Sequence, residues 1–179
     1  MIYLIRPPLR AGAVSVLLGL LVAWVFAAQE QELLGRVVAV TDGDTVKVLE
    51  ANNTLHKVRL VGIDAPERSQ PFGSASRKNL ESMVAGKQVV VRSVKKDKYG
   101  RVLGSVWVQP GDCPSCGKTL YVNHAQIVAG LAWWYRYYAD DQSEEDQGRF
   151  ESAEREAIAR KWGLWAEANP VPPWVWRRK

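Results

Sequence analysis

Histidine and cysteine are scarce in this chain of 179 residues, with two of each. A zinc site asks for four ligands at short spacings. His56 and His124 stand at no such spacing to each other or to the Cys-x-x-Cys pair Cys113 and Cys116. A function centred on bound zinc or on a redox dithiol therefore lacks supporting context. Neither sign of charge dominates. The formal net charge is +5, and Arg6 and Arg10 supply two of it, which leaves a modest bias toward acidic partners. The length leaves room for one domain of ordinary core size plus an appendage, and nothing asks for a second domain.

Long apolar runs are also rare, and the exception lies at the start. Ala11 to Ala28 carries no charge, follows Arg6 and Arg10, and ends in Ala27-Ala28. Residues 1–28 read as a signal peptide cleaved after Ala27. The run also reaches the lower length limit for a spanning helix, so an uncleaved inner-membrane anchor through residues 11–28 is the alternative. A buried core helix ranks last, because nothing in the run is polar enough to mark an outward face. Either favoured reading places the rest of the chain outside the cytoplasm, secreted, periplasmic or anchored facing outward. In that oxidising setting the Cys113-Pro-Ser-Cys116 loop reads as a disulfide that tightens a loop, ahead of half a zinc site.

The most informative stretch runs from Val40 to Glu67. Strand-like runs at Thr45–Leu49 and Leu55–Ile63 each carry a carboxylate at one end, Asp44 and Asp64. Carboxylates are poor strand residues. Two of them at ends that a hairpin through Asn52-Asn53 brings together, with Arg59 and Glu67 near, describe a polar site at the rim of a sheet. Such a rim suits a hard cation and a phosphate. Asp42, in Asp42-Gly43, reads instead as a turn former. A strict period of two would set Arg59 and Asp64 on opposite faces. A bulge at Gly62 would turn them to one rim.

Leu33–Val40 precedes this stretch as another strand. A helix follows it, with Ser74 as N-cap, Leu80, Met83 and Val84 as its apolar stripe, and Gly86 as its stop. Strands at Val89–Lys96 and Val102–Val108 flank the turn Asp97-Lys98-Tyr99-Gly100 that delivers Arg101. A short helix begins with Asn123 as cap. A longer one opens with the capping box at Ser143 and runs to Trp162, with Phe150, Ala153, Ala157 and Ile158 inward. The fold class is α+β, mainly β: a five-stranded OB-type Greek-key barrel with about three helices. The tail at 167–179, rich in proline, tryptophan and arginine, is expected to be extended and to dock through Trp174 or Trp176, and its three terminal basic residues read as solvated, with contact to nucleic acid as the alternative.

Asp42–Val48 (DGDTVKV), Arg59–Glu67 (RLVGIDAPE), Asp97–Arg101 (DKYGR) and Ala129–Tyr138 (AGLAWWYRYY) occur in the order and at about the spacings of the thermonuclease family. The chain resembles that family, the staphylococcal-nuclease-like domains, from about Gly35 to Trp165, within a domain set at 33–166. It departs where Ala65 stands in place of threonine, in a shorter loop after Glu67, and in the inserted CPSC loop.

The resemblance implies a calcium-dependent nuclease that hydrolyses phosphodiester bonds of DNA and RNA. It implies Ca2+ held by Asp44, Asp64 and the Ala65 carbonyl, a water oriented or deprotonated by Glu67, and Arg59 and Arg101 on the phosphoryl oxygens. Tyr99 and Tyr138 are the rings it implies for the substrate, while most other rings near Trp134 pack the core. The alternative is a non-catalytic nucleic-acid-binding module on the same barrel, which has no need of acids that repel phosphate.

Overall fold

The computed structural model describes residues 31–178, so the apolar segment 1–28 lies outside the described residues. In chain order the strands and helices are β1 (Gln31–Asp42), β2 (Thr45–Leu49), β3 (Leu55–Leu60), β4 (Ile63–Asp64), α1 (Gly73–Val84), β5 (Gln88–Lys96), β6 (Val102–Val108), β7 (Leu120–Tyr121), α2 (Val122–Val128), β8 (Trp133–Trp134), α3 (Glu144–Arg160) and α4 (Pro173–Trp176). Short 3-10 turns occupy Arg136–Asp141 and Gly163–Ala166. Among the described residues no helix is long and apolar enough to cross a membrane.

The main sheet runs β3-β2-β1-β5-β6-β7, and β3 also pairs with β6 in parallel. That second pairing closes β1, β2, β3, β5 and β6 into a barrel, the OB-type architecture read from the sequence. The interior is built of β-branched side chains at alternate positions. Val46 and Val48 point inward with Lys47 outward, and β6 alternates through its full length. On β1 the inward residues are Leu33, Gly35 and Val37, then Val40. A register shift between Val37 and Ala39 explains the extra step. Leu80 and Val84 of α1, Ile127 of α2, and Phe150 and Ala157 of α3 are buried.

Several local expectations are corrected. The third strand does not run to Ile63: it stops at Leu60, and Ile63–Asp64 form a separate strand paired with Trp133–Trp134. The cause is Gly62, at φ 74°. The turn there does the work expected of a bulge. α1 starts at Gly73 with Phe72, not Ser74, in the capping position. Asn123 does not cap α2. It is buried, accepts the Val106 N–H (2.9 Å) and donates to the Val61 carbonyl (2.9 Å), which ties the Gly62 turn to β6. α3 is capped by Ser143 as expected, through the Asp146 N–H (3.1 Å), and ends at Arg160 rather than Trp162. Ile158 faces solvent, while Glu154 is buried and satisfied by the Trp134 N–H (2.9 Å) and Arg136 (2.7 Å). The tail forms one helical turn, α4, where an extended chain was expected.

Candidate active site

Asp44 sits directly after the Asp42-Gly43 turn, and its N–H donates to the Asp42 carboxylate (3.2 Å), so Asp42 is a turn residue as read. The Asp44 carbonyl accepts the Leu60 N–H (2.8 Å), and Thr45 stands opposite Arg59 in the β2–β3 register. Together these contacts place the end of β3 beside Asp44. The Gly62 turn then brings Asp64 back to the same rim.

One guanidinium joins the two acids. Arg59 Nη1 lies 2.7 Å from Asp44 Oδ2, and Nη2 lies 2.8 Å from Asp64 Oδ1. Asp44 is 6% exposed and Asp64 1%. Carboxylates so far from water persist as ions only when paired and hydrogen-bonded. Asp44 also accepts from the Thr45 hydroxyl (2.9 Å) and the Ala65 N–H (2.8 Å). Burial pushes the Asp44 carboxyl well above the usual carboxylate range. Asp42 and Asp64 add to the rise, and Arg59 and the Ala65 N–H oppose it.

Glu67, at the rim, receives a second guanidinium that the sequence reading left in solvent. Arg177, just past α4, reaches Glu67 Oε1 (2.7 Å) and grips both oxygens of Asp64 (2.8 and 3.2 Å). Tyr135 lies near Asp64. Its phenol is raised first by burial and then by Asp64. Arg177 and Tyr135 were missed for different reasons. Arg177 lies 113 residues from Asp64 in sequence, and the tail's tryptophans and terminal basic residues gave no sign of which acid it would meet. Tyr135 sits in a run of aromatics from which sequence alone does not single it out.

The predicted site residues thus fall into two groups. Asp44, Asp64, Arg59, the Ala65 backbone and Glu67 come together. Arg101 instead sits on its own turn, with Nε bonded to Asp97 Oδ2 (2.7 Å) and its guanidinium 5.7 Å from the Tyr99 ring. Burial opposes ionisation of Asp97, but the hydrogen bonds from the Arg101 side chain and from the Arg101 and Tyr99 N–H groups outweigh it and lower the carboxyl. Tyr99 and Tyr138 are exposed, and so is Tyr137. Tyr138 packs edge-on against Tyr135 (5.5 Å). Cys113 and Cys116 are joined in a disulfide in the loop between β6 and β7.

The donor set suits a hard cation. Two buried carboxylates share Arg59, and every candidate donor is oxygen, the preference of calcium. Among the described residues no cluster of three or more His, Cys, Asp or Glu side chains stands ready for a metal. The rest of the shell would fall to backbone carbonyl and water.

A family model described as "Staphylococcal nuclease homologue" matches residues 57–167. An uncharacterized endonuclease of Escherichia coli is 40% identical over 148 residues, covering 83% of this chain and 87% of the relative. A micrococcal nuclease of Shigella flexneri is 38% identical over 173 residues, 95% of this chain and 92% of the relative. Protein ParB of Escherichia coli is 38% identical over 169 residues, 94% and 89% of the two chains. The chain belongs to the staphylococcal nuclease homologue family and is a nuclease of the hydrolase class.

Proposed function

We propose that this nuclease is a calcium-dependent phosphodiesterase that cleaves DNA and RNA outside the cytoplasm. The observation that carries the reading is the buried Asp44–Arg59–Asp64 bridge with Glu67 at its open edge. A surface built only to bind phosphate gains nothing from buried acids, which repel it.

Asp44, Asp64 and the Ala65 carbonyl would hold the ion. When bound, calcium supplies charge neutralisation at the phosphate and a polarised water. Glu67 lies at the edge with its side chain 39% exposed, where it accepts the proton of an attacking water. As the family resemblance implies, Arg59 and Arg101 would address oxygens on which charge accumulates, Arg59 from its bridge between the acids and Arg101 from the separate turn where Asp97 holds it. Tyr99 and Tyr138 offer exposed rings to a base. The location rests on the basic start, apolar run and small residues of 1–28. An intact Met1 in a soluble cytosolic fraction, found by N-terminal sequencing of native protein, would refute it.

The test is cleavage of single-stranded DNA and of RNA by the purified full chain, with calcium and with chelator. Cleavage only with calcium, weakened in Asp44→Asn by a drop in calcium affinity of at least roughly tenfold, supports the reading. Binding of nucleic acid without cleavage in either condition would make the chain a binding module.

A further inference from the structure

Arg177 is a third arginine at the acids, contributed by the tail. Its guanidinium meets Asp64 with two nitrogens on two oxygens, at 2.8 and 3.2 Å, and Nη1 also reaches Glu67 at 2.7 Å. The side chain is 43% exposed, and the three bonds to the acids run through Nη1 and Nη2, so that the Nε edge of the guanidinium takes no acid. That fork is the shape that grips two oxygens of a phosphate as well as two of a carboxylate.

The tail that carries it is fixed to the β8 region, whose strand pairs with the one that carries Asp64, and to the loop that carries Glu67. Trp174 packs against Trp133 (5.7 Å between ring centroids) and Tyr135 (5.3 Å), and Trp133 is the β8 partner of Asp64 on β4. Pro173 is buried. Buried Gln70 joins the other side. Its Oε1 accepts the Glu67 N–H (3.1 Å), and its Nε2 donates to the Val171 carbonyl (2.5 Å). The loop holding Glu67 and the tail holding Arg177 are therefore stapled through one side chain. A detachable plug would not be wedged between tryptophan and tyrosine and bonded through a buried glutamine. This tail is built as a wall of the site.

Resting on the nuclease reading above, we propose that Arg177 is a substrate-binding residue that grips a non-bridging oxygen pair of the nucleic-acid phosphate beside Asp64 and Glu67. In the state described here the same fork is held by the two acids, which keeps it oriented. On binding, its open edge meets the phosphate while the stapled backbone stays in place. The tail thus adds a second arginine to Asp64, whose Oδ1 receives both Arg59 and Arg177.

The full-length parent, Arg177→Lys and Arg177→Gln are compared in two assays. One is binding of a fluorescent single-stranded oligonucleotide in chelator, read by anisotropy. The other is steady-state cleavage with calcium. Binding should weaken about tenfold in Arg177→Gln, the loss expected for one charge-assisted contact, with KM rising to match. Arg177→Lys, which keeps Asp64 paired and tests the fork without unfolding the site, should fall between the two. Thermal melting confirms that this variant is folded. Parent-like binding in both variants would overturn the proposal, and tighter binding or faster cleavage in Arg177→Gln would show a plug instead. A parent that binds through Arg177 but does not cleave would leave this inference standing and remove the catalytic reading. A parent that neither binds nor cleaves would end both.

Discussion

At the scale of the residue, the two predicted arginines are held in opposite ways, and substitution should separate them. Arg59 spans two buried carboxylates with two nitrogens. A lysine ammonium is a single point and cannot make that bridge. Arg59→Lys is expected to lower both turnover and melting temperature, because one buried acid is left without its partner. Arg101 holds a half-exposed turn through Asp97. Arg101→Lys should leave melting nearly unchanged and cut turnover on the order of 10³, with little effect on KM, if its fork acts on charge in the transition state. Turnover within a few-fold of the parent, with KM raised, would make Arg101 a ground-state anchor. What the sequence made legible here was type and position: acids at strand ends with an arginine five residues before the second. Which arginine closes on which acid was not legible, since Arg177 arrives from the far end of the chain. Period-3.6 reasoning also put Ile158 inward. It had no means to foresee that Glu154 would take a buried position, held by the Trp134 N–H and Arg136.

At the scale of the element, the Gly62 turn is what brings Asp64 to Arg59. Its φ of 74° suits glycine, and a Cβ built there runs into the Phe150 ring. Gly62→Ala is expected to cost about 1–3 kcal/mol in urea unfolding and to lower activity more than the stability loss alone accounts for. A variant as stable and as active as the parent would remove the turn from the account. The Cys113–Cys116 loop is a contrasting element. It closes a short ring between β6 and β7, so by chain entropy its stabilisation is at most about 3 kcal/mol. Mild reduction should leave cleavage standing, and activity lost on reduction but restored by zinc would contradict the disulfide as the working state. The strands were legible because Val-rich alternation is a strong signal, and β6 falls at the predicted bounds. The caps were less so. Phe72 in a left-handed conformation and a buried Asn123 reflect tertiary demands that no local propensity encodes.

At the scale of the whole molecule, acid stability should be set in part away from the site. His124 packs against Tyr121 and Phe150 at centroid distances of 6.5 and 6.3 Å. Burial, then Arg149, pushes its imidazole below the ordinary value, with Asp146 opposing. The folded chain therefore binds that proton less readily than the unfolded chain. The stability involved is present above about pH 6.5 and is lost as pH falls. His124→Phe should lose less melting temperature than the parent between pH 7.5 and 5. An equal loss in both would clear His124 of that role.

The barrel closes where Val58–Leu60 of β3 meet Val102–Gly104 of β6, and Arg59 stands in that seam. Contacts so distant in sequence form late, since the intervening loop must be closed before they give any return. Before the seam shuts, the β2–β3 hairpin can already set Arg59 beside Asp44, but the closed barrel that buries the two acids is not yet formed. Catalytic competence is thus expected to be an event in time: in stopped-flow refolding, cleavage should return after the helical signal, and return together with that signal would contradict it.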